Sequence, residues 1–270
     1  MIRQAVDLAS HINRTVERGH PADFPVETRP VFCPNGTGYR AIPRRLAVVR
    51  QDTETPLSVV SDRYSLIPHQ AILESVEKAI APLDLGLVPR GIYVDRRGAR
   101  MRALFKFPSL ARPVSQGDDI CPCLKIQNTY DGSSRIAVHI GAFRFVCTNL
   151  AVGGGGVFAG GFMSVHAGEI PIEEIGKQLA AYLKGFDAIV AIYRFWTDRP
   201  LGTAELDLVL EGFPRRPAEA IRQECPSTVY RAYNAATRFA THEMRSYRTA
   251  FELLERVNST FQERFPLPAA

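Results

Sequence analysis

Asp131 and His139 offer an acid and a base eight positions apart, and Ser133 and Asn149 lie near them in the sequence. Gathered in one cleft, the four would make a general acid–base or nucleophilic site, the enzymatic alternative this sequence offers. Plainer explanations compete with it. Asp131-Gly132 is a strong two-residue hairpin turn, which accounts for the aspartate without catalysis. Gly132-Ser133-Ser134-Arg135 lacks the G-x-S-x-G pattern that lifts a nucleophilic serine onto a sharp turn. The six histidines show neither H-E-x-x-H nor another metal-binding spacing. A glycine run covers Gly153 to Gly156, but no Gly-Lys-Ser/Thr follows to complete a phosphate-binding loop. No catalytic residue, metal ligand or cofactor is assigned on these grounds.

Positive charge is the stronger lead. From Arg90 to Arg144 the chain carries ten basic residues against four acids, a local excess of six beside a whole-chain charge of +5. Clustered positive charge favours an anionic partner, with nucleic acid first, although a solvated basic surface gives the same count. A second cluster lies towards the C-terminus. Arg231, Arg238 and Arg245 are seven apart, with Arg248 three further on and Tyr230, Tyr233 and Tyr247 nearby. On one helix, such spacing lines the arginines along one face. Guanidinium groups suit phosphates and aromatic rings suit bases.

The elements that must position these groups follow from periodicity. The first 19 residues predict an amphipathic helix, and the prolines and glycines from Pro21 to Gly38 a linker or irregular arm. Leu46–Arg50 and Leu57–Val60 read as a strand pair, and a helix begins near Pro68 with Ala71, Ile72, Val76, Ala79 and Ile80 on one side. Gly91–Asp95 and Met101–Phe107 flank a turn at Arg96-Arg97-Gly98. Alternation along the second of these strands places Arg100, Arg102 and Lys106 on one face. Cys123–Thr129 and Ser134–Cys147 form a further pair around Asp131-Gly132. Residues 151–168 predict a glycine-rich connector. Ile172 to Trp196 keeps helical spacing, a short helix starts with Thr203 as its cap, and a last helix or helix pair runs from Ser227 to Phe261.

The five cysteines are an odd number, which argues against a disulfide scaffold. Cys121-Pro122-Cys123 reads as two cysteines at the start of a strand, on opposite faces. No stretch approaches the ~18 apolar residues of a membrane span, and Arg3 and Asp7 interrupt what would be the apolar centre of a signal peptide. A soluble, cytoplasmic protein without a membrane partner is expected.

Four stretches carry a family likeness: Asp62-Arg63-Tyr64-Ser65-Leu66-Ile67-Pro68-His69; Arg97-Gly98-Ala99-Arg100-Met101; Asn128 to Ser134 running on to Phe143–Leu150; and Thr228-Val229-Tyr230-Arg231-Ala232-Tyr233-Asn234-Ala235-Ala236-Thr237. They resemble the phage- and plasmid-associated family known as domain of unknown function 932, with Tyr230 where its W-x-x-x-N-A-x-T element has tryptophan. The resemblance implies a phage or mobile-element origin and supplies no activity. The element order is similar to the core of ring-forming single-strand annealing proteins.

The sequence therefore predicts an α+β protein: an antiparallel β-rich core of order β-β-α-β-β-β-β, then a helical C-terminal region. The expected divisions are an N-terminal helix or arm (residues 1–23), the β-rich core (24–168) and the helical region (169–270). The expected function is non-enzymatic nucleic-acid binding, with single-stranded DNA favoured and annealing as its form; a homo-oligomeric assembly module is a further alternative. Arg100, Arg102, Lys106, Lys125, Arg135 and Arg144 would neutralise phosphates together with Arg231, Arg238 and Arg245, and Tyr130 and Phe143 would stack on bases.

Overall fold

The structure is a computed structural model describing residues 21–86, 88, 90–95, 97–133, 136–145, 150–152, 160–164, 172–244 and 247–268. The N-terminal helix expected before residue 21, and Arg135, Cys147, Asn149, Gly153 to Gly156 and Arg245, lie outside these residues.

Three strands come first: β1 (Val26–Pro34), β2 (Tyr39–Arg50) and β3 (Thr55–Ser61). They form an antiparallel sheet in chain order. β1 lies where Pro30 and Pro34 predict an irregular arm. It is an edge strand, where a residue without an N–H breaks no ladder. Helix α1 (His69–Ile80) then starts directly after Pro68 and buries Ile72, Leu73, Val76, Ala79 and Ile80.

The second sheet contains β4 (Arg90–Val94), β5 (Arg100–Lys106), β6 (Arg112–Ser115), β7 (Asp118–Thr129), β8 (Ile136–Arg144), β9 (Leu150–Val152) and β10 (Gly160–Ser164). Its order is β10-β8-β7-β5-β4, with β6 also on β7 and β9 also on β8, all antiparallel. β7 is central and buried on both faces for most of its length. This is why its sequence shows no clean alternation. β5 does alternate: Arg100, Arg102 and Lys106 stand on one face, opposite Thr129, Gln127 and Cys123. Cys121 and Cys123 are both buried, free thiols inside β7. Two residues apart on a strand, they share a face. The expectation of opposite faces is thus corrected.

Five helices follow: α2 (Ile172–Asp198), α3 (Thr203–Leu210), α4 (Arg215–Gln223), α5 (Val229–Arg238) and α6 (Tyr247–Arg264). Gly202, not Thr203, caps α3, and no side chain bonds there. α4 forms despite Pro217 because that proline sits in the first turn, where its missing N–H has no helical partner to lose. A π-helical turn at Phe239–Glu243 separates α5 from α6. The arginine stripe expected along one continuous helix is therefore interrupted after Arg238.

One apolar core runs from the seven-stranded sheet through α1, α2, α5 and α6. At its centre Trp196 is fully buried, and its indole N–H donates to the Phe265 carbonyl at 2.8 Å. Tyr193 and Tyr233 share a hydrogen bond at 2.9 Å, and Tyr233 donates to Asn258 at 2.7 Å. These bonds answer the polar groups that burial of such rings would otherwise strand. A smaller core of Phe24, Val48, Leu57, Val60, Ala99 and Tyr130 ties the three-stranded sheet to the hairpins.

Candidate binding cleft

Three of the stretches with the family likeness meet in a buried network. The side-chain amide of Asn128 donates to the Ile67 carbonyl at 3.1 Å and lies 2.9 Å from His69 Nδ1. His69 Nε2 lies 3.1 Å from the Gly98 carbonyl, which makes it the protonated ring nitrogen. Tyr130 accepts the backbone N–H of His69 at 2.7 Å, and Ser58 donates to the Tyr130 carbonyl. Fully buried and stacked on His69, Tyr130 presents no face to a nucleobase. Phe143 is buried as well, with Lys106 Nζ 4.8 Å from its ring centroid.

The remaining central residues are dispersed. Arg100 bonds Asp131 at 2.6 Å. Partial burial would raise the Asp131 carboxyl, but hydrogen bonds from Ser133 and the Arg100 pair hold it below the usual carboxylate range. Asp131 is thus engaged at its turn. His139 stands opposite Lys125 in the β7–β8 register and is buried. Burial drives the Lys125 ammonium down to about 7, with Arg102 adding to the effect, and drives the His139 imidazole down to about 3. A lysine this enclosed is no phosphate contact. Arg102 is half-buried.

Arg144, Arg231 and Arg238 come together instead. They line one cleft of about 670 Å³ between the β6–β7 turn, the end of β8 and the loop leading into α5. That volume suits a small ligand or a nucleotide unit. Arg144 makes a two-pronged pair with Asp118, with both bonds at 2.6 Å, and its guanidinium lies 5.4 Å from the Tyr230 ring centroid. Arg238 is clamped by Glu224 and Glu243. Arg231 is exposed and enters no ion pair among the described residues. Thr228 caps α5 by accepting the Arg231 backbone N–H at 3.3 Å, so the start of the helix faces the cleft.

Tyr230 forms the floor. Its ring is buried, and its hydroxyl lies beside Asp118 and Asn234. Burial, then the Asp118 carboxylate, push this phenol well above its ordinary value, so it stays a donor. The lining also includes Glu224 and Cys225, whose backbone adopts φ +46°.

Asp118, Glu224 and Cys225 are not marked in the sequence as site residues, because nothing local distinguishes them, whereas Thr228 opens the fourth family stretch. Tyr230 and Asn234 carried a signal, being one helical turn apart within the fourth family stretch. No group of three metal-ligating side chains occurs among the described residues. None of the described helices is long and apolar enough to cross a membrane.

The cleft draws Arg144 from the third family stretch and Tyr230, Arg231 and Asn234 from the fourth. Neither curated proteins nor solved structures gave a match. The family model described as Domain of unknown function (DUF932) matches residues 56–266. With most of its length covered, including every residue that lines the cleft, the chain belongs to the DUF932 family.

Proposed function

We propose that this protein binds nucleic acid without chemistry, single-stranded DNA in preference, by seating backbone phosphate in the Arg144–Arg231–Arg238 cleft. One observation carries the reading: three arginines, Arg144 from the end of β8 and Arg231 and Arg238 from α5, converge on a cleft floored by the buried Tyr230 phenol. The ion pairs of Arg238 leave donors over, because a guanidinium has five N–H groups and its bonds to Glu224 and Glu243 use two. Asp118 and Glu224 pair with Arg144 and Arg238, and Arg231, which enters no ion pair among the described residues, supplies the unopposed charge. The phage or plasmid setting and the cytoplasmic location rest on the family likeness and on the free thiols.

The test is a polarisation titration with a labelled single-stranded oligonucleotide at low and moderate salt. Binding should weaken as salt rises, since phosphate contacts release counterions. Arg231→Ala should weaken binding about five-fold or more and lower the log–log salt slope by about 0.7, one single-strand phosphate. Absence of binding at low salt would refute the proposal.

A further inference from the structure

The cleft grips phosphate but offers no base a surface. Tyr130, Phe143, Tyr230 and Tyr233 are all buried. Exposed rings occur elsewhere, at the tip of the β1–β2 hairpin. β3 pairs only with Arg45 to Arg50 of β2, so the outer part of the hairpin is a two-stranded ribbon. Its register opposes Phe32 to Ala41, Cys33 to Arg40 and Pro34 to Tyr39. Opposed and alternate residues share a face, which puts Phe32 and Tyr39 on one face as diagonal neighbours. Tyr39 is 77% exposed and Phe32 55%.

Folding does not account for these rings, because they remain in water and a two-stranded ribbon gains little from them. The charge around them has one sign. From Pro30 to Arg50 there is no acid, and Arg40, Arg44, Arg45 and Arg50 are basic. Arg44 pairs with Asp62 and Arg50 with Asp52, while Arg40 and Arg45 enter no ion pair among the described residues. Arg40, opposite Cys33, projects from the other face of the ribbon, and exposed rings on one face with unopposed guanidinium groups along the same narrow ribbon complement a strand whose bases are unpaired: the rings stack on bases and the arginines attract its phosphates as it wraps the ribbon. Duplex DNA hides its base faces and would leave the rings unused.

We propose that the ribbon tip is a second contact for single-stranded nucleic acid, with Phe32 and Tyr39 stacking on bases and Arg40 and Arg45 neutralising phosphate. This rests on the reading of the protein as a nucleic-acid binder and adds the base contact that the cleft lacks. The ribbon precedes the residues matched by the family model, 56–266.

The experiment compares the full chain with its Phe32→Ala/Tyr39→Ala variant and with Arg231→Ala. Each is titrated against an oligothymidylate and an abasic oligonucleotide of equal length, with circular dichroism and light scattering on the same samples. The ring variant should fold normally, lose about ten-fold or more on oligothymidylate and change less than about two-fold on the abasic strand. Arg231→Ala should weaken both. If the ring variant binds oligothymidylate as wild type does while Arg231→Ala is weakened, the ribbon contact is refuted and the cleft stands. If only the ring variant is weakened, the ribbon stands and the cleft is refuted. Failure of wild type to bind either strand removes both. A wild-type oligomer that dissociates on ring substitution would make a second copy of the chain the occupant, and would overturn the proposal.

Discussion

The imidazole of His69 lies flat on the ring of Tyr130, with centroids 4.0 Å apart and planes within 19°. The Tyr130 hydroxyl also accepts the His69 backbone N–H at 2.7 Å, so the hairpin motif holds the first turn of α1 in place. The motif that carries the clearest family likeness is therefore architectural. Tyr130→Phe should lower unfolding stability by about 1–2 kcal/mol, the loss of one buried acceptor. Oligonucleotide affinity should not change. Urea denaturation and polarisation on the same preparation check both halves.

Backbone geometry separates two glycines in this region. Gly132 has φ +70° with open space around a would-be Cβ, while Gly98 has φ +88° and its Cβ would meet Phe24 at 2.8 Å. Gly132→Ala should cost about 1 kcal/mol, from the left-handed backbone alone. Gly98→Ala should cost about 2–3 kcal/mol, because the Phe24 ring must also give way. Equal losses in parallel denaturation curves would contradict this difference.

Lys125 gives stability a pH dependence with a definite sign. Its folded value of about 7 lies below the unfolded 10.5, so between these the unfolded chain holds more protons. Stability then rises with pH across that window. The lowered His139 acts in the same sense between about 3 and 6.5. Relative to Lys125→Met, the wild-type chain should gain about 2 kcal/mol from about pH 6 to about pH 8.5. Parallel stability profiles for the two proteins would count against the enclosed, easily deprotonated ammonium.

Asp118 and Arg144 form a largely buried pair, with side-chain exposures of 7% and 18%. Asp118→Ala strands the guanidinium and should lower stability by about 2–4 kcal/mol. The same change removes a carboxylate from the cleft, so affinity per folded molecule should rise a few-fold. Thermal melts and polarisation at low temperature check the two effects. A drop in both would mean that Asp118 positions the site more than it opposes phosphate.

Much of the fold could be read from local signals. The Asp131-Gly132 turn, the β4–β5 hairpin and the 27-residue α2 follow from turn chemistry and periodicity. β1 could not, because prolines that signal an irregular arm are harmless on an edge strand. Burial was equally hidden. Lys125 and Tyr130 read as basic and aromatic surface, but β7 is enclosed by its neighbours on both sides. The arginines at 144, 231 and 238 were visible as residue types, whereas their meeting depends on the β6–β7 turn and the α4–α5 loop, which are far apart in sequence.

Cys225 provides a native reporter on the cleft wall, exposed and outside any disulfide. Alkylation of the full chain, read peptide by peptide with mass spectrometry, gives its reaction rate with and without a saturating single-stranded oligonucleotide. The cleft assignment predicts that bound oligonucleotide slows Cys225 alkylation several-fold and that salt sufficient to release the strand restores the rate. An unchanged Cys225 rate in a sample shown by polarisation to be saturated would contradict it.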